Sequence, residues 1–242
     1  MIELRAIGKH YCGVTALDKV DLSLEPGEVL GLIGPNGSGK TTLIGIASGV
    51  LRPSDGTVVV DGVDLTGKGP GHFARHGIGR TFQQIRLFDD MSVKETVAVG
   101  AIAKGIAHGE AAAALATLGL AEDADRQAST LAYGMQRRVE IARALAGRPR
   151  YLLLDEPAAG MNEVETDDLL DTLRTVAVKV GCGVLIVDHD MHLIMEICDR
   201  IQVLNEGRTL AEDAPGRIVA NPAVIEAYIG TPEHGGMEDA NV

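Results

Sequence analysis

The stretch that most constrains this chain runs from Gly34 to Thr42 and reads Gly-Pro-Asn-Gly-Ser-Gly-Lys-Thr-Thr. It satisfies the pattern G-x-x-x-x-G-K-[ST]. An apolar, strand-like run precedes it, and a short helical run closed by Gly49 follows it. Glycines in such a loop allow backbone N–H groups to point inward at phosphate oxygens, and the start of the helix adds its dipole. The segment therefore predicts a site for a nucleoside triphosphate.

Two side chains of this loop have specific chemical tasks in that interpretation. Lys40 is expected to reach the β and γ phosphates, and the Thr41 hydroxyl is expected to ligate Mg²⁺. The loop residues predicted to bind the nucleotide are Asn36, Gly37, Ser38, Gly39, Lys40, Thr41 and Thr42. The alternative is a flexible glycine-rich turn, but such a turn does not explain the lysine, the threonine or the flanking elements.

Composition restricts the partners of the site. The chain has 242 residues, enough for one large α/β domain or for a domain with a subdomain. Hydrophobic residues make up 45% and aromatic residues only 3%, so the predicted core is aliphatic. The 22 basic and 34 acidic residues give a net charge of −12, and no long basic run occurs. This balance argues against a sequence-independent nucleic-acid binder, which needs clustered cations to neutralise phosphates.

Cysteine usage and hydropathy predict a soluble chain in a reducing compartment. Cys12, Cys182 and Cys198 show no C-x-x-C spacing, so we interpret them as reduced cytosolic thiols rather than metal ligands. No apolar run approaches the length that spans a bilayer, and the first residues lack a signal-peptide pattern. Any role in transport is therefore expected to depend on a partner.

Hydrophobic patterning predicts an α/β fold. Residues 2–31 predict short antiparallel strands of an N-terminal β-subdomain, since Ile2–Ile7 and Val20–Leu24 alternate apolar and polar residues. The runs Tyr151–Leu154 and Gly183–Val187 are continuously apolar, which is typical of strands buried on both faces of a mostly parallel sheet. Further elements are predicted as a strand at Gly77–Gln83, a helix at Glu163–Val180, a terminal hairpin at Arg200–Leu210, and one or two short helices in residues 215–229.

Residues 86–147 differ in character from the rest and predict a helical subdomain inserted into the α/β core. They contain alanine-rich helical patterns at Val93–Ala103, Gly109–Gly119 and Met135–Ala146, with no candidate strand between them. The core and the β-subdomain would then comprise residues 1–85 and 148–230. Residues 231–242 form a polar tail that we predict to be disordered.

Polar side chains follow the predicted parallel strands, where open α/β sheets place their chemistry. Asp155 could serve Mg²⁺ directly or through water, and Glu156 could orient and deprotonate an attacking water. His189 could hydrogen-bond the γ-phosphate, and Gln83 could reach the metal and the water. Each has an ordinary alternative: a helix cap or surface acid pair, a structural histidine, or a solvated loop glutamine. Tyr11 is equally open, as a surface ring or as a stacking platform for adenine.

The order of these motifs resembles that of an ABC transporter ATPase subunit over essentially the entire chain. The motifs are Tyr11, the Gly34–Thr42 loop, Gln83, Leu131–Gln136, Asp155-Glu156 and His189. The closest subfamily resemblance is to the ATPases of branched-chain amino acid importers. It rests on the stretches Arg80–Phe88, Leu131–Gly134, Glu156–Asn162, Asp188–Met191 and Asn221–Gly230. The resemblance implies a single cassette in residues 1–230, with a P-loop NTPase core of the RecA-like type.

The resemblance also implies a role for each matched residue. Tyr11 would stack on adenine, Gln83 would join the Mg²⁺ site and sense the permease, and Asp155 would serve the metal. Glu156 would be the catalytic base that splits ATP with water into ADP and phosphate, and His189 would be the switch histidine. The stretch Leu131–Gln136 would be the signature motif. Through Gly134 it would contact the γ-phosphate held by an opposite subunit, so that two subunits sandwich two ATP molecules head to tail.

The implied partners are permease subunits in the membrane, a second ATPase subunit of the same or a related chain, and a periplasmic solute-binding protein. The implied location is cytoplasmic, on the inner face of the cell membrane. Importers of urea, amides or aromatic acids and a lipopolysaccharide exporter remain alternatives. ABC ATPases of DNA repair or of ribosomes need coiled coils or two cassettes in one chain, and neither occurs here. A small-molecule P-loop kinase would leave Gln83, Gly134 and His189 without a role.

The chain departs from the general family pattern in the signature motif and after the metal strand. Against Leu-Ser-Gly-Gly-Gln, Ala132 replaces the serine and Tyr133 replaces the first glycine. Ala132 has no hydroxyl for a phosphate, so we expect closure on ATP through the backbone N–H of Gly134 and the helix dipole. Asn162 stands where an aspartate is usual, and signalling between subunits is expected to differ there.

Overall fold

The computed structural model describes residues 1–88, 90–102, 105 and 109–229. In these residues the strands are β1 (Ile2–Tyr11), β2 (Val14–Leu24), β3 (Val29–Ile33), β4 (Asp55–Val60), β5 (Val63–Asp64), β6 (Ile78–Arg80), β7 (Tyr151–Asp155), β8 (Gly183–Val187), β9 (Arg200–Asn205) and β10 (Arg208–Asp213). The helices are α1 (Lys40–Ala47), α2 (Pro70–Arg75), α3 (Val93–Ile102), α4 (Gly109–Thr117), α5 (Tyr133–Ala146), α6 (Glu163–Val180), α7 (Met191–Ile197), α8 (Pro215–Val219) and α9 (Pro222–Ile229), with a 3₁₀ turn at Ala128–Thr130.

The N-terminal strands form an antiparallel sheet in the order β2-β1-β4-β5, as predicted in kind. The prediction of short strands was wrong, because β1 and β2 continue well beyond the alternating segments. The reason is a break in register: the β1–β2 pairing shifts between Leu4 and Ile7, and again between Ile7 and Lys9. Ala6 and Lys19 adopt positive φ values of 49° and 52° there. Such bulges reset the alternation of side chains without ending the strand.

The second sheet has the order β10-β9-β3-β8-β7-β6 and is parallel except for β10, which pairs antiparallel with β9. Its strands β3, β7 and β8 are buried at every residue, which confirms the prediction made for β7 and β8 from their continuous hydrophobicity. Successive side chains of β7 pack into two different hydrophobic cores, one on each face of the sheet. Leu152 and Leu154 pack with the helices of residues 93–146, whereas Leu153 packs with the antiparallel sheet and α1.

The helices predicted in the alanine-rich region are present with shifted ends. Helix α5 begins two residues earlier than predicted, at Tyr133, and α4 ends at Thr117. Ala103, the predicted last residue of α3, lies outside the described residues. Helix α2 and the 3₁₀ turn were not predicted, because each spans too few residues to show a period. The division into residues 1–85 with 148–230 and residues 86–147 stays a prediction.

The C-terminal part follows the predicted order. Helix α6 has the predicted bounds, the β9–β10 hairpin is present and extends to Asp213, and two short helices follow it. The predicted strand Gly77–Gln83 is limited to Ile78–Arg80, so Gln83 lies in the loop after it. The tail 231–242 lies outside the described residues. Among the helices that the structure describes, none is both long and apolar enough for a membrane crossing.

Burial on both faces of β7 predicts similar costs for shortening either of two neighbouring side chains. Leu152 and Leu153 are both 0% exposed but face different cores. We expect Leu152→Ala and Leu153→Ala each to lower the free energy of unfolding by about 2–5 kcal/mol in urea denaturation. Val178→Ala is the control, because this α6 side chain is 80% exposed. A loss below about 0.5 kcal/mol for either leucine would contradict a sheet covered on both faces.

Candidate site for nucleotide binding and hydrolysis

The predicted phosphate loop lies between β3 and α1, at the carboxyl end of a central strand. The loop curls around the Lys40 ammonium, whose Nζ donates to the carbonyl oxygens of Gly34 at 2.6 Å and Pro35 at 3.0 Å. The Ser38 N–H donates to Pro35 O at 3.2 Å, and Ser38 O accepts from the Gly207 N–H at 3.1 Å. The described strand, loop and helix are therefore those that the pattern needs for phosphate binding.

Neighbouring backbone leaves no room for side chains at two glycines of the loop. Gly34 has a φ of 149°, and a Cβ added there would lie 2.1 Å from the carbonyl oxygen of Leu204. Gly39 has a φ of 106°, and its added Cβ would lie 2.7 Å from the carbonyl oxygen of Ala16. The loop is thus held between the start of β2 and the end of β9. Its curvature depends on contacts with both sheets.

Tyr11 lies at the end of β1, on the hairpin that contacts the phosphate loop. The hairpin contributes Ala16 and Leu17 against Gly39. The Tyr11 side chain is 42% exposed, and Lys9 Nζ lies 4.9 Å from its ring centroid. An exposed aromatic ring on a hairpin that contacts the phosphate loop offers an apolar face for a nucleobase. This placement suits the adenine-stacking alternative.

Asp155 ends β7 and is nearly buried beside an arginine that the sequence analysis missed. Arg80 Nη2 lies 3.4 Å from Asp155 Oδ2, and Arg80 Nη1 donates to Ser48 Oγ at 2.7 Å. Burial raises the pKa of Asp155, and the Arg80 guanidinium acts in the opposite direction. The Arg80 guanidinium at the end of β6 therefore favours the charged form of a carboxylate whose charge burial disfavours.

The phosphate loop and the carboxylates share one electrostatic environment. Burial lowers the pKa of Lys40, and the negative charges of Glu156 and Asp155 act to raise it again. These are the residues that the sequence placed at the ends of two different strands. Their mutual influence shows that the parallel sheet brings the lysine and both carboxylates to one edge.

Glu156, Gln83 and His189 converge beside the loop. Gln83 Nε2 donates to Glu156 Oε2 at 3.1 Å, and His189 Nδ1 lies 3.8 Å from Glu156 Oε1. The His189 side chain is 74% exposed, so it is not a buried structural histidine. Glu156 has a φ of 49°, and its N–H donates to Val187 O at 2.7 Å. A non-glycine residue at positive φ is uncommon and costs energy, and such outliers concentrate at functional sites.

Asp188 orients the backbone that carries His189. Its Oδ1 accepts from the N–H groups of His189 at 2.7 Å and Asp190 at 3.0 Å. Asp188 is 3% exposed and burial raises its pKa, and within the described part of the chain its Oδ2 has no hydrogen-bond partner. No role was predicted for this residue from the sequence beyond its place in the subfamily stretch Asp188–Met191. Its position directly before a histidine at a strand end was the available signal.

The departures from the general signature pattern meet at one place in the fold. Ala132 is the residue before α5, and the Tyr133 ring packs over Gly160, where a Cβ would lie 2.8 Å from the ring. Gly134 is buried against Glu165, whose Oε1 would lie 3.2 Å from a Cβ at that position. Neither contact was predicted, because the segments that meet here are far apart in the sequence and no local pattern links them.

Asn162 and Glu165 form the start of helix α6. The Asn162 side chain accepts from the Glu165 N–H at 3.0 Å, and Glu165 Oε2 accepts from the Asn162 N–H at 3.0 Å. This capping box fixes the carboxylate that packs on Gly134. Matching Leu-Ser-Gly-Gly-Gln from Leu131 also puts Met135 at the glutamine position, a departure that the sequence analysis missed.

The fold and the site define an ATP-binding cassette. The family model for the ABC transporter matches residues 17–159, and a model for the branched-chain amino acid ATP-binding cassette transporter matches residues 208–234. A nucleotide-free cassette of an ABC transporter superposes with a TM-score of 0.88 at 30% identity, covering 96% of this chain and 99% of that chain. A cassette solved in its ADP conformation has the same TM-score at 31% identity, with the same coverage of both chains.

Curated relatives match over nearly the whole chain. The high-affinity branched-chain amino acid transport ATP-binding protein BraF of Pseudomonas aeruginosa is 40% identical over 95% of this chain and 98% of its own length. The protein LivG of Escherichia coli, described in the same words, is 39% identical over 95% of this chain and 98% of its own. The methionine import ATP-binding protein MetN of Haemophilus influenzae is 36% identical over 99% of this chain and 73% of its own. The chain belongs to the ATP-binding cassettes of the ABC transporter family.

Alanine substitutions at two glycines of the phosphate loop distinguish the effect of backbone strain from that of steric collision. Both have positive φ, but an added Cβ meets the Leu204 carbonyl oxygen at Gly34, whereas at Gly37 none of the described atoms lies within 4 Å of it. We expect Gly37→Ala to cost about 1–2 kcal/mol of stability and Gly34→Ala at least about 2 kcal/mol more, by thermal denaturation without nucleotide. Equal losses for the two variants would show that Leu204 does not confine the loop.

Proposed function

We propose that this chain is the ATP-hydrolysing subunit of an ABC importer for branched-chain or other hydrophobic amino acids. The observation that carries the catalytic part is the convergence of Gln83, Glu156 and His189 beside the Lys40 loop. The solute class is supported by the names of the relatives and by the match of residues 208–234 to the branched-chain subfamily.

ATP would bind along the phosphate loop. The N–H groups of residues 36–42 and the Lys40 ammonium face the phosphates, and Tyr11 stacks on adenine. Lys40 now donates to two loop carbonyls, so it would exchange these bonds for phosphate oxygens. This exchange suits a lysine whose charge is already partly buried.

The residues present suit Mg²⁺ held jointly with the phosphates. Within the described residues no group of three or more His, Cys, Asp and Glu side chains could hold a metal. Mg²⁺ in nucleotide sites needs only one or two protein oxygens, because phosphates and waters complete its octahedron. The donors here would be Thr41, Gln83 and Asp155. Asp155 contacts Arg80, so it would act through a water. When bound there, Mg²⁺ would supply positive charge that offsets the negative charge developing on the phosphate oxygens during transfer.

Glu156 would accept a proton from the attacking water while Gln83 orients it. The water oxygen forms the new bond to the γ-phosphorus, and the bond to the β-phosphate oxygen breaks to release ADP and phosphate. His189 would donate to the γ-phosphate from its exposed position near Glu156. Its distance of 3.8 Å from that carboxylate leaves it free to turn toward the phosphate.

The site of one chain would be completed by the signature motif of a second ATPase subunit. The described contacts of Gly134 are with Glu165 of α6 rather than with the phosphate loop. Its backbone and the positive end of α5 would therefore serve the ATP of the opposite subunit. A single chain should bind ATP but hydrolyse it poorly.

The remaining partners follow from importer function. Permease subunits would hold the pair of ATPases at the inner face of the cell membrane, and a periplasmic solute-binding protein would deliver the amino acid. Systems for urea, amides or aromatic acids, or for lipopolysaccharide export, would use the same catalytic residues. The solute is therefore decided by the permeases and the binding protein.

Replacing the proposed base tests the catalytic and transport roles together. With permeases and binding protein in vesicles, we expect Glu156→Gln to reduce ATP hydrolysis at least about a thousandfold and to stop uptake of labelled leucine. When the Glu156→Gln chain is purified without the permeases and given ATP, an ATP-bound dimer should accumulate, as measured by size-exclusion chromatography. Glu122→Gln is the control, since this glutamate is exposed and distant in sequence from the site.

Two outcomes of that experiment would contradict the proposal in different ways. Normal hydrolysis by Glu156→Gln would remove the base assignment. The unchanged complex could hydrolyse ATP at the same rate with and without leucine, and take up urea or an aromatic acid instead of leucine. The assignment as an ATPase would then stand, and the proposed solute class would be wrong.

The signature motif is expected to act through its backbone, so restoring the usual hydroxyl should matter little. Ala132 precedes α5 and is exposed, and it supplies no side-chain cap to the helix. We expect Ala132→Ser to change the steady-state ATPase rate less than about tenfold, because the backbone of Gly134 and the dipole of α5 already serve the phosphate. A gain of about a hundredfold or more would show that the native motif is defective.

A further inference from the structure

A completely buried arginine on α5 contacts the loop that carries Gln83. Arg137 is 0% exposed, and its Nη1 donates to Phe82 O at 2.6 Å while its Nη2 donates to Gln83 O at 2.7 Å. The same Nη1 donates to Glu140 Oε2 at 3.0 Å, one turn further along the helix. The planar guanidinium thus spans two consecutive carbonyls and a carboxylate, a geometry that a lysine ammonium cannot reproduce.

Glu140 extends the contact to the far end of the same loop. It is 1% exposed, and its Oε1 accepts from the Arg86 N–H at 3.0 Å. Arg143 adds a bond from Nη1 to Arg86 O at 2.5 Å and lies 3.4 Å from Glu140. Helix α5 therefore holds the backbone of residues 82–86 at both ends.

This network ends at the proposed catalytic base. The backbone of Gln83 is held by Arg137, and its side chain donates to Glu156 Oε2 at 3.1 Å. The path from α5 to Glu156 thus has two hydrogen bonds and one intervening residue. Helix α5 is also the helix whose first turn carries Tyr133 and Gly134 of the signature motif.

Stability alone does not account for this arrangement. A buried ion pair loses the hydration of both charges, and well-packed apolar side chains of similar volume often serve stability as well or better. Among the residues that the structure describes, the Arg137 Nε has no hydrogen-bond partner, which adds to the cost. The three bonds that the pair makes to residues 82, 83 and 86 all go to loop backbone, so they specify the position of that loop.

We propose that Arg137 is a positioning residue, which places Gln83 against Glu156 of its own chain through the loop backbone. The inference rests on the proposed function, in which Gln83 and Glu156 act on ATP. Helix α5 then belongs to two composite sites: its first turn meets the ATP of the partner subunit, and its buried arginine sets the catalytic residues of its own site.

The test uses a paired substitution that removes Arg137 and Glu140 together, so that neither charge of this pair is left buried without the other. We expect Arg137→Met with Glu140→Leu to fold, to retain the ATP affinity of the single chain within about twofold, and to lower kcat at least about tenfold. Arg137→Lys keeps the charge but cannot span both carbonyls, so it should also lose at least about fivefold in kcat. Arg126→Met is the control, because this arginine is exposed and its ion pair is with the neighbouring Asp123.

Mixed dimers show whether Arg137 acts within its own chain. In the first dimer, one chain carries the paired substitution and the other carries Glu156→Gln, so the only active site uses the Gln83 of the substituted chain. In the second dimer, one chain carries all three substitutions and the other is unchanged, so the active site uses the altered chain only for its signature motif. The reference pairs an unchanged chain with Glu156→Gln.

We expect the first mixed dimer to lose at least about tenfold relative to the reference, and the second to stay within about threefold of it. Equal losses in both, a loss only in the second, or no loss in either would overturn the proposal. Full activity of Arg137→Lys would also overturn it, because charge alone would then suffice.

Hydrogen exchange on the single chain gives a readout that does not depend on dimers or hydrolysis. In Arg137→Lys, which keeps Glu140, the Arg86 amide should exchange at least about tenfold faster, because the loop that carries it loses the bonds from Arg137, while the amides of β7 should not change. Unchanged exchange at the Arg86 amide would overturn the positioning role. If the reference dimer lacks activity although the exchange result holds, the proposed function fails and the placement of Gln83 by Arg137 stands.

Discussion

The structure depends on the register of three buried parallel strands. Val187 of β8 pairs with Leu32 of β3 on one side and with Asp155 of β7 on the other. The residues that follow these three positions must therefore leave the sheet at one edge. The phosphate loop, Glu156 and His189 are those residues, and the bond from the Glu156 N–H to Val187 O continues the pairing into the site. A slip of one residue would turn every one of these side chains to the opposite face.

The surrounding fold holds two backbone segments of the site in conformations that an isolated loop would not keep. Glu156 adopts a positive φ immediately after a fully buried strand, and Gly34 passes within contact of the Leu204 carbonyl oxygen. The first conformation costs free energy locally, the second is open only to a glycine, and both persist because the packed strands on either side leave no alternative. Arg80 and Asp188 also hold the site in place. Arg80 contacts the buried Asp155 carboxylate, and Asp188 accepts a hydrogen bond from the His189 N–H.

Much of the fold could be predicted because its signals are local. The continuous hydrophobicity of β7 and β8 and the periodicity of α6 each lie within a single element, and both predictions are confirmed. The lengths of β1 and β2 could not be read in the same way, because bulges at Ala6 and Lys19 interrupt the alternation. Arg137 and Arg80 were missed because ordinary arginines on a helix and at a strand end are solvated, and only the fold shows that these two are not.

The sequence by itself determined that this chain holds a nucleoside triphosphate, since the loop from Gly34 to Thr42 requires its glycines, lysine and threonine in a fixed local order. It also determined which strand ends carry carboxylates. Only the tertiary structure decided which side chains face each other. Tyr133 over Gly160, Glu165 against Gly134, and Arg137 on the Gln83 loop join segments that are distant along the chain. Such contacts follow from packing, which no local pattern encodes.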